Sequence, residues 1–285
     1  MFKNPHSSYR QNGKILDSNK KNCYVVAVSG KGGVGKTTVA ALLLRYIIEN
    51  FKDKNILVID GDPASNIPEV LGIKTDPNRT ISKITANLKK KIEKGELPPG
   101  YDKVLALEAE IQRIIYEMDD FDILVLGRGE GEGCYCFINN LLKNILDSLE
   151  ESYDVILMDM EAGLEHLSRR TDKNVDEMII VTDTSKMGFN TLDRIIEVSL
   201  EVHLKFRKYW VIGNQFTQEA MQFLEKFVME LKKKYNVNIE LGGIIPRDER
   251  IAIANLKSEP LYEIAKETIS YKEIEKIGKK IFNSF

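Results

Sequence analysis

Ser29-Gly30-Lys31-Gly32-Gly33-Val34-Gly35-Lys36-Thr37-Thr38 is the stretch that decides the reading of this 285-residue chain. Gly30, four residues, and then Gly35-Lys36-Thr37 is the spacing of a phosphate-binding loop. Before it runs Cys23-Tyr24-Val25-Val26-Ala27-Val28, apolar and partly β-branched, which reads as a buried parallel strand. After it, apolar residues at 39, 42, 43, 46 and 47 predict a helix from Val39 to Asn50. Strand, glycine loop and helix N-terminus are the context that the spacing requires. The glycines let backbone N–H groups curl around an anion, and the helix dipole adds positive potential at the same point. Lys36 is then expected to reach the β- and γ-phosphates of a nucleoside triphosphate, and the Thr37 hydroxyl to hold Mg²⁺.

Outward from the loop, strands alternate with helices. Asn55 to Asp60 reads as a second buried strand, ending in Asp60-Gly61-Asp62-Pro63, and Phe121 to Leu126 reads as a third. A glycine-rich loop (127–133), Cys134-Tyr135-Cys136 and a helix from about Phe137 to Leu149 follow. Further strands are expected at Asp154–Asp159, Glu177–Thr182, Lys208–Ile212 and Ile239–Ile245. Helices are expected at Ile81–Lys94, then up to Met118, and at Asn190–His203, Gln218–Tyr235 and Leu261–Phe282. This alternation predicts an α/β fold of the P-loop NTPase kind, a mainly parallel sheet with helices on both faces. Residues 1–22 read as a flexible tail and 23–285 as a single domain. With 43% hydrophobic and 29% charged residues and a net charge of −2, nothing favours nucleic acid, and no apolar run approaches a membrane span. No secretory signal opens the chain and three cysteines make no disulfide framework, so the expected compartment is the cytoplasm.

Hydrolysis needs a metal ion, a positioned water and positive charge on the transferring phosphoryl group. Asp159 ends an apolar strand and reads as the carboxylate that holds Mg²⁺ directly or through water. Asp62, on the neighbouring loop, reads as the group that orients or deprotonates the attacking water. Cys134 and Cys136 sit two apart, which puts both thiolates on one side of an extended segment. A metal site wants more than two thiolates, and a second copy of the chain would supply them across a two-fold axis. A pair of ordinary reduced thiols is the competing reading.

Lys31 goes beyond what a phosphate loop requires. Lys31-Gly32-Gly33-Val34-Gly35-Lys36-Thr37-Thr38 resembles the deviant Walker A of the Min, partition and nitrogenase-iron-protein superfamily. That resemblance implies that Lys31 reaches the phosphates of a partner subunit in a nucleotide-sandwich dimer, so that dimerisation gates hydrolysis. Together with Asp60-Gly61-Asp62-Pro63, Gly133-Cys134-Tyr135-Cys136 and Met158-Asp159-Met160-Glu161-Ala162-Gly163-Leu164-Glu165-His166-Leu167, the loop is similar to the CooC-type maturation ATPases. These serve nickel insertion into carbon monoxide dehydrogenase. The resemblance implies a homodimer that uses ATP and Mg²⁺ and binds Ni²⁺ or Zn²⁺ at the dimer interface through Cys134 and Cys136. It also implies a carbon monoxide dehydrogenase-like client. It places a base-contacting Asn at Asn214, with the Ile245-Pro246-Arg247-Asp248 loop nearby, so that Gly30 to Thr38, Asn214 and Pro246 form the nucleotide site. His166 reads as a surface or switch contact rather than a ligand. Two departures stand out: Gln215 where Lys or Arg usually follows the Asn, and no proline in Val181-Thr182-Asp183-Thr184-Ser185. The alternatives are a Min- or partition-type positioning ATPase and, less well matched, an iron–sulfur reductase like the nitrogenase iron protein, since no cysteine follows Cys136.

Overall fold

The computed structural model describes residues 23–62, 67–96, 103–127, 149–161, 175–204 and 206–283, with Phe285. The expected strand before the phosphate loop is β1 (Tyr24–Gly30), buried along its whole length. Its residues divide between two layers. Val25 and Ala27 face one apolar layer, and Tyr24, Val26 and Val28 face the other. A strand covered on both faces has no polar side, which is why these segments read as near-continuous apolar runs instead of alternating ones.

Around β1 the sheet is ordered β3-β4-β2-β5-β1-β6-β7-β8. Its strands are β2 (Ile56–Gly61), β3 (Tyr116–Glu117), β4 (Asp122–Val125), β5 (Val155–Met160), β6 (Val175–Thr182), β7 (Phe206–Asn214) and β8 (Ile239–Ile245). Every pairing is parallel except that of the two-residue edge strand β3 with β4. One layer is built from α3 (Ile81–Glu93), α4 (Lys103–Ile114), α5 (Lys186–Glu201) and α6 (Gln218–Tyr235), through residues such as Ile81, Ile111, Leu192 and Leu224. The other holds α1 (Lys36–Asn50), the short α2 (Ile67–Val70), α7 (Glu249–Lys257), α8 (Leu261–Ile264) and α9 (Ile269–Ile281). The expected α/β architecture with helices on both faces is the one observed.

Local chemistry accounts for the differences from expectation. The helix expected at Leu261–Phe282 is two, because the Thr268 hydroxyl accepts from Tyr271 N (3.1 Å) and starts α9 afresh after a 3₁₀ turn at Ala265–Glu267. An additional helix, α7, begins where Asp248 caps Arg250 N and Ile251 N. The helical stretch expected up to Met118 stops at Ile114, and the chain turns into β3. The expected helix at 137–149 falls outside the described residues apart from Leu149, as do the tail 1–22, Pro63, Cys134, Cys136 and His166.

Candidate functional site

The topology reverses around β1. The chain leaves it through α1 to β2 on one side, while β6, β7 and β8 extend the sheet on the other. Open parallel sheets hold ligands outside the strand C-termini at such a switch point. Here that point is residues 30–36. Gly30 has φ +150, and a Cβ there would meet Val181 O of β6 at 2.2 Å, so the loop can leave the sheet only as glycine. Gly35, the N-cap of α1, has φ +90, and a Cβ would meet Asn214 Nδ2 at 2.3 Å. No side chain caps α1 and no acidic residue lies in its first turn, so its N–H groups and dipole are presented to an anion. Lys36 is buried, its ammonium turned back to Lys31 O (3.4 Å), and the Ser29 hydroxyl donates to Glu161 O (3.0 Å) just past β5.

Register brings the carboxylates together. Asp60 of β2 and Asp159 of β5 are direct partners on neighbouring strands, both fully buried. Among the described residues, neither oxygen of Asp159, nor Oδ2 of Asp60, has a hydrogen-bond partner. Burial pushes the Asp159 carboxyl up to about 6, with the Thr37 hydroxyl and the Lys36 ammonium acting in the opposite direction. Asp60 is driven further, to about 8, by burial first and by the Asp159 charge second. Its Oδ1 accepts from Asp62 N (3.2 Å), which ties the loop carrying Asp62 to the strand end. The orphaned oxygens of Asp159 beside Thr37 fit a divalent cation: a carboxylate and a hydroxyl are hard oxygen donors, and Mg²⁺ bound by one or two carboxylates plus phosphates is the usual arrangement. The sequence alone assigns Asp60 no role. Its signal was its position at the end of β2, which only the register to Asp159 turns into a constraint.

Two cavities flank the loop. One, of about 500 Å³, is lined by Gly32, Lys36, Thr37, Thr38, Asp62 and Glu259. The other, of about 360 Å³, lies between Gly35, Thr38, Asn214, Gln215, Pro246 and Asn255. Asn214 and Pro246, the two residues expected to contact a base, both line it. Asn214 does more than line it: its Nδ2 donates to Val34 O at 2.8 Å, a strut from β7 to the crest of the loop. Gln215 adopts φ +58, a left-handed conformation that side chains other than glycine seldom take. A larger cleft of about 830 Å³ lies at the other end of the sheet, among Phe51, Asn55, Asp119 and Tyr153, and holds none of these residues. The Lys31 ammonium lies 3.9 Å from Asp183 Oδ2.

A phosphate loop on a central parallel strand, with a buried carboxylate on the next strand, defines a nucleotide site. The model of the CobQ/CobB/MinD/ParA nucleotide-binding domain matches residues 25–261. The chain belongs to this family. An uncharacterised ATP-binding protein of Methanocaldococcus jannaschii is 41% identical over 91% of this chain and 98% of its own length. The carbon monoxide dehydrogenase accessory protein CooC of Rhodospirillum rubrum is 28% identical over 84% of this chain and 90% of its own. Among solved structures, MinD of Pyrococcus horikoshii complexed with Mg-ADP shares the fold, with a TM-score of 0.60 at 20% identity over 91% of this chain and 96% of that one. The site therefore takes a nucleotide in the manner of this family, and its constellation is that of an ATPase. Among the described residues no cluster of three or more His, Cys, Asp or Glu could hold a further metal, and no helix is long and apolar enough to cross a membrane.

Proposed function

We propose that the chain is a dimeric ATPase that couples its nucleotide state to delivery of a metal ion, nickel or zinc, to a metalloenzyme of the carbon monoxide dehydrogenase kind. The observation that carries the catalytic part is the buried Asp159, with both oxygens unpartnered among the described residues, beside Thr37 at the mouth of a glycine-rich loop. Lys36 and the amides at the start of α1 neutralise the β- and γ-phosphates. Thr37 and Asp159 would hold an Mg²⁺, which would supply positive charge to the phosphates. Asp62 orients the attacking water and receives its proton. Neutral Asp60 keeps a second negative charge away from Asp159 while no cation is present. Asn214 and Pro246 receive the base, and the strut from Asn214 to Val34 O makes base binding and loop shape one event.

Lys31 acts in trans. A single protomer offers the transferring phosphoryl group only Lys36 from this loop, because Lys31 is turned aside to Asp183. A partner's Lys31 then supplies the missing positive charge, and hydrolysis waits for two protomers to meet. The same meeting brings two Cys134/Cys136 pairs together, and four thiolates suit the cargo metal. Similarity to CooC over most of both chains supports this reading.

A positioning ATPase of the Min or partition type is the second reading, supported by the likeness in fold to MinD. Its membrane-surface variety would need a free amphipathic helix, whereas α9 buries Tyr271, Ile274, Ile277 and Ile281 against the domain. The deciding measurement is metal content and oligomeric state of the purified full chain, with and without ATP. Near one nickel or zinc per two chains, lost in Cys134→Ser/Cys136→Ser, is expected of the first reading. A chain that dimerises with ATP but takes up neither metal turns the assignment to the second.

A further inference from the structure

Asp183 follows β6 directly and precedes α5, on the loop beside Lys31. Its carboxylate is built into place. Oδ1 accepts from Ser185 N (3.1 Å) and from the Ser185 hydroxyl, and that hydroxyl in turn accepts from Gly188 N (3.0 Å) to cap α5. A Cβ on Gly188 would meet Asp183 Oδ1 at 2.3 Å, so the backbone of the first turn is drawn close around this oxygen. One oxygen is thus committed to the helix cap, and the other, Oδ2, faces the Lys31 ammonium. The carboxylate also sits at the positive end of a 16-residue helix, where negative charge is favoured.

We propose that Asp183 is a positioning residue that holds Lys31 inside its own protomer and sets the ease with which that lysine is released to a second subunit. The inference rests on the reading of Lys31 as a group that acts in trans. In the lone protomer, Lys31 and Lys36 project from one loop five residues apart, and Asp183 compensates the outer charge. In the dimer, Lys31 exchanges this carboxylate for the partner's phosphates. The exchange is favourable only when a nucleotide stands opposite, because otherwise Lys31 gives up an ion pair for water. Both side chains of the pair are about one-third exposed, at 30% and 34%. A pair of that exposure shifts an equilibrium by about two- to fivefold at most, and salt screens it. The latch is therefore weak enough to open and strong enough to matter at low protein concentration.

Asp183→Asn tests it, since the Asn oxygen still accepts from Ser185 and the charge alone is lost. ATP turnover of the full chain is measured against protein concentration for wild type, Asp183→Asn, Lys31→Ala and the double variant, at about 0.05 M and 0.5 M salt, with melting temperatures as a check on folding. Asp183→Asn is expected to raise turnover at sub-saturating protein by about two- to fivefold at low salt, with the gain shrinking at high salt. The double variant is expected to match Lys31→Ala. Turnover of Asp183→Asn equal to or below wild type, with Lys31→Ala inactive, overturns the latch and leaves the trans lysine standing. Lys31→Ala with wild-type turnover overturns the trans reading itself, and the latch with it.

Discussion

Replacing Asp60 by Asn should stabilise the protein in the absence of nucleotide and Mg²⁺, and should do so increasingly as pH rises. Asp60 and Asp159 face each other across β2 and β5, fully buried, with three of their four oxygens unpartnered among the described residues. The folded-state value of Asp60, about 8, lies above its ordinary 3.8, so the folded chain holds a proton that the unfolded chain has released. Stability from that proton is complete below about pH 4 and is lost as pH rises towards 8. Asp159, raised to about 6, behaves alike but is spent by then. Between about pH 6 and 8, Asp60 is therefore the member of the pair that titrates, with a limiting slope of about 1.4 kcal/mol per pH unit. Asn keeps an oxygen for Asp62 N, and its amide can donate towards Asp159. Urea unfolding in EDTA at a series of pH values should show Asp60→Asn gaining on wild type by about 1–3 kcal/mol from pH 6 to pH 8, less than the limiting slope in full because the interior relaxes around a charge. Parallel stability curves for the two proteins, or a variant that loses ground over this range, would refute the reasoning.

The phosphate loop and its flanking strand and helix were legible because their signal is local: spacing, glycine and an apolar run. The parallel strands were legible for the same reason, since burial on both faces leaves them apolar from end to end. Other features depend on contacts between distant segments. Asp60 gains its meaning from Asp159, about a hundred residues on, and Asp183 from Lys31; neither pair leaves a mark in either stretch alone. Helix α7 was hidden because Arg250-Ile251-Ala252-Ile253-Ala254 suits strand and helix equally, although Asp248 ahead of it is a cap that could have been recognised. The break before α9 hangs on one hydroxyl, Thr268, inside an otherwise helical pattern.

Gly35→Ala forces a side chain to φ +90 and into the Asn214 amide, so ATP affinity should fall more than about tenfold with a loss of about 1–3 kcal/mol of stability, read by calorimetric titration and urea unfolding. Glu177 is buried and accepts from Tyr24, Trp210 and twice from Arg207. Its replacement by Ala leaves the buried Trp210 indole N–H unmatched, while Tyr24 keeps Ile281 O and the half-exposed Arg207 reaches water, and should cost about 1–3 kcal/mol, while the KM for ATP of the remaining folded protein stays the same. An unaltered urea midpoint for Glu177→Ala would show that the cluster is not what joins β1, β6 and β7 at that end of the sheet.

The central claim is that each catalytic site takes Lys36, Asp62 and Asp159 from one subunit and Lys31 from another. Subunit complementation tests it directly. Lys31→Ala and Asp62→Asn proteins, each inactive alone, are mixed in equal amounts with ATP and Mg²⁺, and phosphate release is followed. Half of the dimers are then mixed, and each mixed dimer has one complete site, so turnover should return to about a quarter of wild type. Turnover no greater than the sum of the two proteins assayed separately would contradict the claim.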